Sequence, residues 1–111
     1  MALLYVTEYA EVVSMPGGKV GQIPVEPPLA EQTVAIGSGS TASAAFNAST
    51  RFVRLHTDSI CGVTLGSSPT ATVASGGAGS GRMVAGQTEF RAVPPRQPND
   101  TAYKVAVIAT T

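Results

Sequence analysis

The sequence predicts an all-β fold, a small β-sandwich of about eight short strands. Three observations predict it. The most regular segments alternate apolar and polar residues with period two, Gly- and Pro-rich turns recur at short intervals, and no stretch has the spacing of an amphipathic helix.

In chain order, residues 2–13 (ALLYVTEYAEVV) are rich in β-branched and aromatic residues and stop at Met15-Pro16-Gly17-Gly18. Residues 19–25 (KVGQIPV) form a second extended piece. Pro24, Pro27 and Pro28 mark it as an edge strand or strand exit, because proline cannot donate to a ladder. Residues 32–36 (QTVAI) are a third strand, closed by Gly37-Ser38-Gly39-Ser40. In 41–50 (TASAAFNAST) alanine favours helix, whereas Ser and Thr compete for backbone hydrogen bonds. The balance predicts a short strand around Ala44-Ala45-Phe46, then a turn.

The clearest segment is 51–65. Val53 and Leu55 alternate with Phe52, Arg54 and His56; beyond Asp58-Ser59, Cys61, Val63 and Leu65 alternate with Ile60, Gly62 and Thr64. Two strands with one buried face each follow from that pattern. Residues 70–75 (TATVAS) offer a weak strand, and Gly76 to Gly81 a loop without side chains to pack. Residues 83–87 lead through a turn into the strand 88–93. Pro94, Pro95 and Pro98 stiffen the connection to the β-prone run Tyr103 to Ala109.

At 111 residues the chain has the length of one domain, 1–111, with an N-terminal strand or arm over about 1–28. Apolar residues make up 43%, close to the globular average, so wholesale disorder is not expected. Ala and Val dominate and Trp is absent, which predicts a thin core, because stability scales with apolar area removed from water. Charged residues are only 13% of the chain. That suits a protein held inside an assembly, where charges would have to be desolvated; a Ser/Thr-coated surface accounts for it equally well. The seven basic residues form no stripe, which argues against nucleic acid as a partner. No run approaches the roughly 20 apolar residues that span a membrane, and the first residues lack the pattern of a secretory signal. Synthesis and folding in a cytoplasm are therefore expected.

Candidate chemistry is sparse. Gly77-Ala78-Gly79 invites a phosphate cradle, but such a cradle needs a helix behind the glycines, and Arg82-Met83-Val84-Ala85-Gly86 cannot extend as one. His56, Asp58 and Cys61 could be read as a nucleophilic set, which requires the base within reach of the thiol. Cys61 sits in an apolar alternation, where a free cysteine behaves as a small hydrophobe, so no enzyme is predicted. One His, one Cys and two Asp match no metal-ligand spacing, and no cofactor is expected. Asn47-Ala48-Ser49 and Asn99-Asp100-Thr101 match the glycosylation acceptor pattern by composition alone.

Several segments, taken in order, carry a resemblance. They are Leu29-Ala30-Glu31-Gln32-Thr33-Val34-Ala35-Ile36-Gly37, Ser43-Ala44-Ala45-Phe46-Asn47, the run Thr50 to Asp58, Gly66-Ser67-Ser68-Pro69-Thr70-Ala71, and the run Met83 to Phe90. Together they resemble small structural proteins of tailed bacteriophages, of the head decoration or cement type. The resemblance implies a β-sandwich, jelly-roll-like in form, bound to the major capsid protein on the capsid surface of the virion. It transfers no active-site residue. Homo-oligomers are common for such domains, and a trimer at a capsid threefold position is one form. Extended termini can add strands to neighbours, so Leu3, Tyr5 and Tyr9 of the arm and Pro24, Pro27 and Pro28 are the candidate subunit contacts. An alternative is another virion part: a head–tail or tail-tip component, or a module for a host surface or a sugar. A sugar binder needs exposed aromatics, for which Tyr5, Tyr9, Phe52, Phe90 and Tyr103 are eligible. A third reading, an enzyme on a jelly-roll scaffold, is disfavoured by the single His and the missing acid–base pairs.

Overall fold

The computed structural model describes residues 2–73, 79–95 and 101–110. Ten strands and no helix occur among them, and eight of the strands build two four-stranded antiparallel sheets. In chain order the strands are β1 (Leu3–Tyr9), β2 (Val12–Met15), β3 (Lys19–Pro24), β4 (Ala30–Ala35), β5 (Thr41–Ala42), β6 (Phe52–Thr57), β7 (Cys61–Gly66), β8 (Gly81–Met83), β9 (Thr88–Ala92) and β10 (Lys104–Ala109). The first sheet has the order β4-β1-β6-β9 and the second β5-β10-β7-β8; β2 and β3 form a hairpin outside both.

The alternation in 52–57 is realised in full: Val53 and Leu55 are sealed in the core, while Phe52, Arg54 and His56 face outward, half-buried. Leu4, Val6 and Val34 join them from the first sheet. Cys61, Val63, Met83, Val105 and Val107 come from the second, and Phe46 and Val93 complete one continuous cluster. The fold is therefore a sandwich, with the core between the sheets. As the composition foretells, that core is built of small and branched side chains, and Phe46 is its only fully covered ring among the described residues. Along the chain, β4 to β5, β5 to β6, β6 to β7, β8 to β9 and β9 to β10 each pass from one sheet to the other. β1 and β10 are both inner strands, one in each sheet.

The two outer faces differ. Behind the second sheet, Ala71 packs on Ala106 and Ile108, so β10 is buried on both sides. That double burial explains its unbroken apolar run Val105-Ala106-Val107-Ile108. Behind the first sheet, no comparable segment among the described residues covers the strands beyond Tyr9, and Tyr5 and Phe90 are exposed there.

Some elements differ from the sequence reading. The stretch 2–13 is two strands, because the chain leaves the sheet at Ala10-Glu11 and starts the hairpin. Its turn places Gly17 and Gly18 at φ of 85° and 78°, a conformation that glycine adopts without steric cost. No strand forms at 44–46. The Gln32 side-chain amide takes up Ala44 instead, with the Ala44 N–H donating to Oε1 at 2.9 Å and Nε2 donating to the Ala44 carbonyl at 3.4 Å. Residues 71–73 are not a strand either; the Ser80 N–H donates to the Thr72 carbonyl at 3.1 Å. A short strand not expected from the sequence, Gly81–Met83, pairs with β7 ahead of the turn that leads into 88–92. The rest of the 70–75 segment, most of the glycine loop and Pro98 lie outside the described residues.

Candidate binding surfaces

The nucleophilic set suggested by His56, Asp58 and Cys61 is not assembled. His56 points away from the core and pairs its Nδ1 with Thr88 Oγ1 at 2.7 Å. Asp58 accepts the Leu3 N–H at 2.8 Å, where it ties the start of β1 to the β6–β7 turn. Cys61 faces inward from the opposite sheet, fully buried, with Sγ 3.5 Å from Thr57 Oγ1. Burial pushes its thiol up, only partly offset by that hydroxyl, which favours an inert thiol over a nucleophilic thiolate. No group of three His, Cys, Asp or Glu side chains poised for a metal occurs among the described residues. Gly79 and Ser80 lead into strand β8, not into a helix that could cradle phosphate.

One buried charged group was not anticipated. Glu8 lies on the inner face of β1, 1% exposed. Its Oε1 accepts the Asn47 N–H at 2.7 Å and the Thr50 hydroxyl at 2.8 Å, and so latches the 47–50 turn to the strand. Those partners are remote in sequence, and no local pattern announces them. Beside this latch, Phe46, Thr50, Val93, Pro94, Pro95 and Tyr103 line a cleft of about 340 Å³ that no charged side chain enters among the described residues.

The outer face of the first sheet is richer. Strand register sets its side chains in rows: Thr33, Tyr5, His56 and Thr88; then Glu31, Thr7, Arg54 and Phe90; then Tyr9, Phe52 and Ala92. Tyr9 and Phe52 stack at 5.4 Å between ring centroids, Phe52 and Phe90 meet tilted at 6.0 Å, and Tyr5 and His56 meet tilted at 6.1 Å. Four of the five eligible aromatics thus share this face; Tyr103 packs against the core elsewhere. A cleft of about 770 Å³ runs over β4, β1 and β6, lined by Tyr5, Thr7, Glu31, Arg54, His56 and Asp58 among others. Arg54 and Glu31 have no hydrogen bond or ion pair among the described residues, although both act on the Tyr9 hydroxyl through space.

The second surface is the β2–β3 hairpin with the strap 25–29 that follows it. The Val25 N–H donates to the Glu11 carbonyl at 3.1 Å and the Leu29 N–H to the Glu8 carbonyl at 2.8 Å, anchoring the strap across the end of β1. Tyr9 lies buried beneath it; its own burial first, and the adjacent Glu26 carboxylate second, raise the phenol above its ordinary value. Ile23 is 69% exposed, and Val25, Pro27 and Leu29 are exposed as well, giving an apolar ridge outside both sheets.

The candidate contacts fall as follows. Leu3 is half-buried at the start of β1, Tyr5 is exposed on the outer face, and Tyr9 is covered. Pro24 ends β3 opposite Val12, Pro27 is exposed, and Pro28 is half-buried. One correction concerns the N-terminal arm. β1 is an inner strand, paired with β4 on one side and β6 on the other, so it has no free edge to lend to a neighbour. Contacts by Leu3 or Tyr5 run through side chains only.

What these surfaces define is an all-β sandwich with one outer face and one projecting hairpin uncovered. No helix among the described residues is long and apolar enough to cross a membrane. Comparison with protein-family models, with curated proteins and with solved structures finds no match to this chain.

Proposed function

We propose that the chain is a non-enzymatic structural protein of a tailed-phage virion, a head decoration or cement protein that docks on the major capsid protein lattice. The observation that carries the reading is the apolar ridge Ile23, Val25, Pro27 and Leu29 on a hairpin and its following strap, which belong to neither sheet. The sandwich core is complete without these side chains, so their exposure serves no folding purpose in the isolated chain. Burial of such a ridge against a partner is favourable in proportion to the apolar area removed from water. A low charge content and the resemblance of the segments between Leu29 and Phe90 support the same reading. Several copies around a symmetry axis would present several ridges to the shell at once, which multiplies weak contacts.

Cosedimentation of the purified chain with assembled heads of the parent phage, followed by electron microscopy, tests this. Wild-type chain is expected on the shell, and Ile23→Asp combined with Leu29→Asp is expected to weaken binding by about tenfold or more while leaving the melting temperature unchanged. Density confined to the tail, or no density at all, removes the proposal.

A further inference from the structure

We propose that the cleft on the outer face of the first sheet is a saccharide site, which seats one sugar ring of a glycan between Glu31 and Arg54 with Tyr5 as its apolar platform. Glu31 of β4 and Arg54 of β6 both stand opposite Thr7 of β1, on the same face. Two strand spacings separate them, about 10 Å, a gap that a sugar ring spans with a hydrogen bond on each side. A carboxylate that only accepts therefore faces a guanidinium that only donates, and neither has a hydrogen bond or ion pair among the described residues.

The signs of these charges select the ligand. An anion drawn to Arg54 meets Glu31 and Asp58 in the lining of the same cleft, and a cation drawn to those carboxylates meets Arg54. A neutral polyol meets no such conflict, because each hydroxyl both donates and accepts and can serve either wall. One row along, Tyr5 is 41% exposed and its ring is tilted against His56 by 48°, not stacked face to face. It can pack on the C–H face of a sugar while His56, fixed through Nδ1 by Thr88, keeps Nε2 for a hydroxyl. The strap 25–29 stops over Tyr9 and leaves this row uncovered. None of the ridge residues lines the cleft, so the site stands apart from docking on the shell.

The test uses ligand-observed saturation-transfer NMR on the full chain, with hexoses, 6-deoxyhexoses, N-acetylhexosamines and hexuronic acids added one at a time at millimolar concentration. At least one neutral sugar is expected to bind, with amide shifts confined to β1, β4 and β6. Glu31→Gln, Arg54→Gln and Tyr5→Ala are each expected to weaken it by about tenfold. Glu31→Gln is isosteric at an exposed edge position, so its fold is expected to be intact, and a thermal melt checks that. Absence of binding by every sugar, binding of the uronic acids alone, or equal affinity in Glu31→Gln and wild type overturns the proposal. Each of those results leaves docking through the hairpin untouched.

Discussion

At the scale of single residues, Cys61 shows how environment decides chemistry. The same thiol that next to an exposed histidine could attack a substrate is here sealed between two sheets, with the Thr57 hydroxyl in hydrogen-bond reach. Because burial raises its pKa, folding favours the protonated thiol. The associated stability is complete below the unfolded thiol's ordinary value, about 8.5, and is lost as pH rises through the higher folded value. The buried Tyr9 phenol, also raised, adds a second loss further into the alkaline range. We expect the melting temperature to decline above about pH 8.5, and Cys61→Ala to flatten the first part of that decline at the cost of a lower plateau. An unchanged alkaline profile in Cys61→Ala would show that the thiol is not the source. The inward position of Cys61 was legible from its alternation with Val63 and Leu65. The place of His56 on the opposite sheet was not, because it depends on the chain crossing the sandwich at Asp58-Ser59.

At the scale of elements, β6 could be read from pattern, since it buries one face, whereas in β7 Cys61, Gly62 and Val63 are all buried and the expected one-face alternation is lost. β10 could be read from its apolar run, since it buries two faces. Elements held by distant side chains could not be read. The 44–46 segment has strand-like composition, yet the Gln32 amide occupies Ala44 in place of a neighbouring strand. The 47–50 turn depends on Glu8, 39 residues from Asn47 and 42 from Thr50. Nothing in Thr7-Glu8-Tyr9 distinguishes this carboxylate from a solvated one. Glu8→Ala removes the acceptor for a backbone N–H and a buried hydroxyl together, and is expected to cost on the order of 3 kcal/mol in urea unfolding. Glu8→Gln keeps an acceptor oxygen and is expected to cost less. Equal losses in the two variants would mean that the negative charge, which Gln lacks, holds the turn, and not the shape or a neutral acceptor oxygen. The candidate cleft was hidden for a related reason. Tyr5, Glu31 and Arg54 belong to three separate stretches, and only the register of β4 and β6 against β1 places them on one surface.

At the scale of the whole molecule, the sandwich is dominated by pairings between strands far apart in sequence. Within the two sheets, β7 and β8 are the only sheet neighbours that are also consecutive strands among those described. Folding must close long loops before most contacts form, which places such topologies in the millisecond-to-second range. Stopped-flow refolding is expected to show a main phase there, and a microsecond phase carrying the full amplitude would contradict it. The sequence supported the sandwich class through strand count and turn spacing, but it left the strand order open, because short strands of similar composition carry little information about which partner each one takes.

The inner positions of β1 and β10 bear on how the protein is made. Of these strands β1 is synthesised first and needs β4 and β6 on its flanks. The second sheet lacks one of its central members until residue 109 has cleared the exit tunnel. The sandwich therefore closes only after translation has passed that point. Until then its Val-rich strands are open to chaperones and to neighbouring nascent copies.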